Sequence, residues 1–130
     1  MIIGIGTDII EVSRIKESIE KYQDKFLSRV FTPTEIEYCN NFNEKKYLHL
    51  AARFAAKEAF SKAIGTGIAE GFKLNEFGVL NDAKGKPTAQ FFGSFVEKYK
   101  DITVSISLSH IVDYATAFVI VEGKEVDILE

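Results

Sequence analysis

The stretch from about Lys45 to Gly65, KKYLHLAARFAAKEAFSKAIG, constrains this chain more than any other. Ala, Leu, Glu, Lys and Arg are strong helix formers and no proline interrupts the run. It predicts one helix of about five to six turns, roughly 30 Å long. Gly65 is placed to close it as the C′ residue. Turning the side chains through about 100° per residue separates two faces. Leu48, Ala52, Ala55, Ala56, Ala59, Phe60 and Ala63 share one, whose small residues let the helix lie close against a sheet or another helix. Arg53, Lys57, Glu58, Ser61 and Lys62 fall across the other, with Tyr47, Leu50 and Phe54 among them. Charges at this spacing describe a solvated surface: Arg53 and Lys57 are like charges at i,i+4, and Glu58 with Lys62 is a favourable i,i+4 pair. The same mixture of cations, carboxylate, hydroxyl and large apolar groups also suits the meeting of a phosphorylated ligand with a metal ion. The helix alone leaves both readings open.

At 130 residues the chain reads as one domain, 1–130, long enough to bury about two-thirds of its extended surface. Apolar residues make up 46% and charged residues 27%, as in ordinary globular proteins. A formal charge of −3 disfavours a globally basic nucleic-acid binder, although local basic patches survive an acidic total. The single cysteine, Cys39, rules out an intramolecular disulfide and fits a reducing cytosol. The opening MIIGIGTDII lacks a basic n-region and meets Asp8 early, so it does not read as a signal peptide. No apolar run approaches the ~20 residues of a membrane span. A cytoplasmic protein with no membrane or nucleic-acid partner is expected.

Taken in order, residues 2–6 predict a buried strand, and Thr7-Asp8 puts a carboxylate at its end. A charge there needs a partner, so Asp8 is either a strand-end cap or a metal ligand. Ser13 to about Val30 predicts one amphipathic helix, with Ser13 or Asp8 as its cap and Ile15, Ile19, Tyr22 and Phe26 as its apolar stripe. Thr32-Pro33-Thr34-Glu35 has the form of a capping box opening a short helix to about Cys39. His49 reads as a surface or satisfied histidine, since no other His or Cys stands at metal spacing. Gly65-Thr66-Gly67-Ile68 is a turn at a helix C-terminus, the wrong end for a P-loop, and neither GxxxxGK[ST] nor GxGxxG occurs. Phe77–Leu80 and Pro87–Phe92 predict a hairpin whose tip carries Lys84 and Lys86, and residues 93–100 a short helix. Residues 102–109 alternate as a half-buried antiparallel strand, and Tyr114–Val121 follows as a second. His110 sits in the tight connection between them. The charged tail from Glu122 is expected to fray. Helices followed by antiparallel strands indicate an α+β domain, a small antiparallel sheet packed against the long helix.

Three separated pieces, in order, resemble one family. They are Gly6-Thr7-Asp8 with Arg14 six residues on; Arg53-Phe54-Ala55-Ala56-Lys57-Glu58-Ala59-Phe60-Ser61-Lys62-Ala63 running into Gly65-Thr66-Gly67; and Ser107-Leu108-Ser109-His110 followed by Tyr114-Ala115. The chain resembles the short bacterial class of 4′-phosphopantetheinyl transferases, the holo-acyl-carrier-protein synthases. The Gly85-Lys86-Pro87 hairpin is similar too. The resemblance covers nearly the whole chain and implies the family's fold. It implies transfer of the 4′-phosphopantetheine arm of coenzyme A to a serine of apo acyl carrier protein, with adenosine 3′,5′-bisphosphate released. It implies Mg²⁺ held by Asp8 and Glu58, with Lys62 beside them as a catalytic group. Arg53, Lys57, Ser61, Lys62, Gly65, Lys86, Pro87 and His110 are the coenzyme A-binding positions it implies, Lys46 being a further candidate for the 3′-phosphate. Either Glu58 or a metal-bound water deprotonates the serine. Arg14 matches a carrier-protein contact, and the composition of the same helix adds Lys21, Lys25, Phe26 and Arg29. The family's homotrimer, with active sites between subunits, would give Leu50 and Phe54 a neighbour or ligand to touch. Two rivals use the same residues: a metal-dependent hydrolase of coenzyme A, and a non-catalytic binding module.

Overall fold

The computed structural model describes residues 1–67 and 72–124. Ile68 of the expected glycine-rich turn and the charged tail beyond Lys124 lie outside the described residues. In chain order the elements are β1 (Ile2–Glu11), α1 (Val12–Tyr22), α2 (Asp24–Val30), α3 (Pro33–Cys39), α4 (Lys46–Ala63), β2 (Phe77–Asn81), β3 (Pro87–Phe91), α5 (Ser94–Lys98), β4 (Thr103–His110) and β5 (Tyr114–Glu122). The described strands form one sheet in the order β1-β5-β4-β3-β2, every neighbour antiparallel. The expected α+β arrangement, a small antiparallel sheet against the long helix, is what forms.

The alanine face of α4 carries the packing. Ala55, Ala56, Ala59, Ala63 and Phe60 are buried in one core with Ala117, Val119 and Val121 of β5 and Phe77 and Val79 of β2. Beside β1 the fit is closer still. A Cβ on Gly6 would lie 1.9 Å from the Ala59 carbonyl oxygen, so only glycine lets strand and helix backbones approach this far. Along a strand, residues two apart share a face, so Gly6 and Asp8 both point at the helix. The Gly-x-Asp spacing therefore has a physical meaning: the glycine brings the helix in, and the aspartate meets it.

The other side of α4 is buried too. Leu50, Ala51 and Ala52 form a second core with Ile15, Val30, Phe31 and Cys39. Leu50, expected to reach a neighbour or ligand, is thus part of the chain's own interior. The apolar content of the helix is spread around its circumference because helices or strands cover it on most sides.

Several details differ from the sequence expectation. The strand expected to be buried over residues 2–6 exposes Ile2 and Ile5 on its outer face, and His110, expected in the connection after residue 109, ends β4. β1 continues through Asp8 to Glu11 because β5 pairs with it throughout, ending at Glu11 opposite Tyr114. The single helix expected over 13–30 breaks at Gln23, whose φ of +48° ends α1. Neither Ser13 nor Asp8 caps α1. Glu11 stands at its N-cap without a side-chain bond, and the Val12 amide donates to the Asp113 carbonyl instead. The capping box at Thr32 forms as expected, and Gly65 (φ +84°) follows the last residue of α4's cap.

Candidate active site

The carboxylates expected to act together do converge. Asp8, carried by β1 to the last turns of α4, accepts an ion-paired hydrogen bond from Lys62 Nζ at 3.0 Å. The same ammonium donates to the Thr7 carbonyl at 3.2 Å. Glu58 lies one helical turn before Lys62. Burial and the neighbouring Asp8 hold its carboxyl above the ordinary range, with Lys62 partly opposing them. Both carboxylates line an open groove of about 550 Å³, together with Arg14, Ile15, Phe26, Phe54 and Tyr114. Two carboxylates that repel each other at the edge of a groove suit a hard cation. Mg²⁺ takes one or two carboxylates and completes its shell with water and phosphate oxygens. Among the described residues no cluster of three or more His, Cys, Asp or Glu offers a closed metal cage. Phe54, expected among the polar residues without a partner in the chain, lines this groove.

The middle of the same helical arc is not available to ligand. Lys57 was expected to bind phosphate, but its side chain is 0% exposed. Its ammonium donates to Glu35 Oε1 (2.8 Å), to the Leu74 carbonyl (2.9 Å) and to the Phe77 carbonyl. Three acceptors satisfy an ammonium's three protons, so no donor is left for a phosphate. Burial lowers its pKa, with Glu35 opposing that shift. Ser61 is likewise buried and donates to the Glu58 carbonyl at 2.7 Å. Both were expected as coenzyme A contacts; both are interior here. Glu35 is marked by the sequence as a capping-box residue but not as the buried partner of Lys57. It closes the capping box through the Thr32 amide (2.9 Å), accepts from the Val79 amide (2.9 Å) and pairs with Lys57. A capping-box glutamate is normally exposed, so nothing in the local pattern marks it as a core anchor.

Beyond that buried wedge lies a second pocket. Arg53 is 2% exposed. Its guanidinium lies over the Tyr38 ring (4.6 Å) and donates to Asn81 Oδ1 (2.5 Å) and weakly to the His49 carbonyl (3.4 Å). Its Nε has no partner among the described residues. The pocket, of about 190 Å³, is lined by Tyr38, His49, Arg53, Asn81, Pro87 and His110 among others, with no carboxylate in its wall. Arg53, Pro87 and His110 thus come together as expected, and Tyr38, Asn81 and His49 join them unannounced. Lys86 is on the exposed hairpin tip, where its backbone amide donates to Asp82 Oδ1 (2.9 Å). Lys46 lies over the Tyr47 ring (5.2 Å). Gly65 is exposed just past α4. At about 100° per residue, Glu58 is roughly 140° and Lys62 roughly 180° around the helix from Arg53. The groove and the pocket therefore open on different sides of α4.

Of the expected carrier-protein contacts, Arg14 and Phe26 line the acidic groove. Phe26 also lines an adjoining hollow of about 260 Å³ with Tyr22, Lys25 and Arg29. Lys21 lies over the Tyr22 ring at 5.2 Å. Phe26 thus joins the hollow lined by Lys25 and Arg29 to the groove of the carboxylates, while Glu17, Glu20 and Asp24 are exposed on the same two helices.

Residues 4–119 match the 4′-phosphopantetheinyl transferase superfamily. A holo-[acyl-carrier-protein] synthase from Protochlamydia amoebophila is 47% identical over 120 residues, covering 92% of this chain and 98% of that one. The crystal structure of the Neisseria meningitidis synthase superposes with a TM-score of 0.82 at 39% identity, covering 94% of this chain and 99% of that one. A Bacillus anthracis synthase in complex with CoA (3′,5′-ADP) gives a TM-score of 0.78 at 38% identity, covering 95% and 99%. The chain belongs to the 4′-phosphopantetheinyl transferase superfamily, among the enzymes that act as holo-[acyl-carrier-protein] synthases.

Proposed function

We infer that the chain transfers 4′-phosphopantetheine from coenzyme A to a serine of apo acyl carrier protein, with Mg²⁺ at Asp8 and Glu58, in support of fatty acid biosynthesis. The observation that carries this is the meeting of Asp8, Glu58 and Lys62 at one end of a groove whose other end is basic and apolar. The serine oxygen attacks the pyrophosphate phosphorus nearer the pantetheine. A new O–P bond forms, the bond to adenosine 3′,5′-bisphosphate breaks, and the serine proton passes to Glu58 or to water. Bound at the two carboxylates, Mg²⁺ supplies the charge neutralisation that phosphoryl transfer requires. Lys62 adds a mobile cation for the leaving phosphate, and Arg14, Lys21, Lys25 and Phe26 seat the acidic carrier. The Arg53–His110 pocket, rich in donors and free of carboxylates, suits the 3′-phosphate end of coenzyme A.

One coenzyme A molecule cannot easily reach both sites around a single α4. The two-sided placement supports active sites shared between subunits, each joining one chain's pocket to a neighbour's carboxylates. The face of β1 and β5 turned away from α4 supports the same reading. Ile5 is 61%, Ile9 63% and Phe118 45% exposed there, an apolar surface suited to the family's homotrimer.

The test incubates the protein with coenzyme A, Mg²⁺ and an apo carrier protein, and weighs the carrier. The expected result is a gain of one phosphopantetheine unit, lost with EDTA and in Glu58→Ala. Coenzyme A consumed without carrier gain would establish the hydrolase instead. Binding without any turnover, across several carriers, would establish the binding module.

A further inference from the structure

His49 stands one helical turn before Arg53, on the same side of α4, and lines the same pocket. Its ring is clamped. It stacks on Phe42 with centroids 3.9 Å apart and planes at 29°, and meets Tyr38 and His110 edge-on at 6.1 and 5.8 Å. Among the described residues no hydrogen-bond partner is found for the ring nitrogens of either histidine. The pocket wall therefore offers the clamped His49 imidazole, the exposed His110 ring at its rim, a buried guanidinium with an unpaired Nε–H, and no counter-charge. A wall of that chemistry, around a pocket of about 190 Å³, suits a compact anion such as a phosphomonoester.

We propose that His49 is a specificity-determining residue, which takes up a proton as the 3′-phosphomonoester of coenzyme A enters and so discriminates it from the 3′-dephospho form. The inference rests on the coenzyme A reading above and extends it to a residue that reading does not use. The groups facing His49 are Arg53 on its own helix, His110 from β4, Lys45 from the turn before α4, and Tyr38 from α3, with Phe42 apolar beneath it. In the empty pocket, burial first, then Arg53, His110 and Lys45, hold its pKa below the ordinary 6.5, so at neutral pH it is uncharged. A dianionic phosphate reverses the sign of the local field. The imidazole then gains a proton and donates a charge-assisted hydrogen bond, the strong kind. A ligand without the phosphate brings no such field and leaves the ring neutral. Discrimination therefore weakens as pH rises.

The experiment titrates the protein calorimetrically with adenosine 3′,5′-bisphosphate and with 5′-AMP, at about pH 6 and about pH 8, in two buffers of different ionisation enthalpy. Proton uptake is expected with the bisphosphate and not with AMP, with preference for the bisphosphate falling at the higher pH. His49→Phe, which keeps the stack on Phe42, and His49→Gln, which keeps a neutral donor, should each cut that preference by about tenfold at the lower pH and flatten its pH dependence. Equal preference and proton uptake in both folded variants and the unmodified protein would overturn the inference. A bisphosphate preference absent from the unmodified protein would overturn it as well. Failure to bind either nucleotide or coenzyme A would overturn the coenzyme A reading with it.

Discussion

Lys57 and Glu35 provide the sharpest test of how this helix is used. Lys57→Met keeps a long flexible side chain but removes the ammonium. Glu35, wholly buried, then retains only the Thr32 and Val79 amides as donors, and the Leu74 and Phe77 carbonyls lose their partner. Breaking a buried ion pair from one side costs about 3–5 kcal/mol, because the remaining charge has no compensation. With a urea m-value of about 2 kcal/mol/M, the unfolding midpoint should fall by roughly 1.5–2.5 M. The chain has no tryptophan, so circular dichroism is the probe, at fixed protein concentration because an oligomer's stability depends on it. The double variant Lys57→Met/Glu35→Gln should lose less than the two single losses added together, since the pair acts as a unit. In the folded variant the affinity for adenosine 3′,5′-bisphosphate should be unchanged. A midpoint shift worth under about 0.5 kcal/mol, together with a tenfold loss of nucleotide affinity, would refute the reasoning and return Lys57 to the ligand site.

Three further outcomes are expected. Gly6→Ala would need strand and helix to part by about 1.5 Å to relieve its contact with the Ala59 carbonyl, an overpacking worth about 1–3 kcal/mol; it should lower the urea midpoint and weaken Mn²⁺ binding measured by calorimetry. Glu58 has a raised folded-state pKa, so its contribution to stability is fully present below its ordinary pKa of 4.5 and is lost as pH rises through the folded value. Without divalent cation, Glu58→Gln should therefore be more stable than the unmodified protein at neutral pH, with the gain vanishing in acid; urea midpoints across pH check it, and an equal gain at low pH would count against it. Phe118→Glu should release folded, inactive monomers, read by light scattering alongside the transfer assay.

Much of the fold was legible because its signals are local. The capping box at Thr32–Glu35, the alternation over residues 102–109 and the helix formers of α4 each follow from a few neighbouring side chains. The site was legible only at its edges. Asp8, Glu58, Lys62, Arg53 and His110 have chemistry that stands out in a sequence. What the sequence could not reveal is which of several similar cations on one helix becomes buried. That depends on Glu35, a residue 22 positions away, whose side chain follows an ordinary capping pattern while reaching into the core.

The buried Lys57–Glu35 pair also explains how the long helix presents two separate candidate sites, one for each end of the proposed substrate. On a helical wheel the cations and carboxylate of α4 form a single arc, which suggests one continuous site. In the fold, α3 and the segment leading into β2 cover the middle of that arc at Lys57, and Ser61 is buried beside it, so only the edges of the arc remain accessible. One edge meets Asp8 and keeps a half-exposed lysine; the other holds Arg53 between Tyr38 and Asn81. The rigid edge suits recognition, because a buried guanidinium and the clamped His49 ring lose little freedom on binding. The exposed edge suits the proposed chemistry, because Lys62 is half exposed and its ammonium, bonded to Asp8 and the Thr7 carbonyl, has a proton left to donate to a phosphate oxygen. A helix covered at the middle and open at both edges keeps the Arg53 pocket apart from the carboxylate groove within one chain. Under the function proposed above, the apolar outer face of β1 and β5 is the surface across which a neighbouring chain would complete each site.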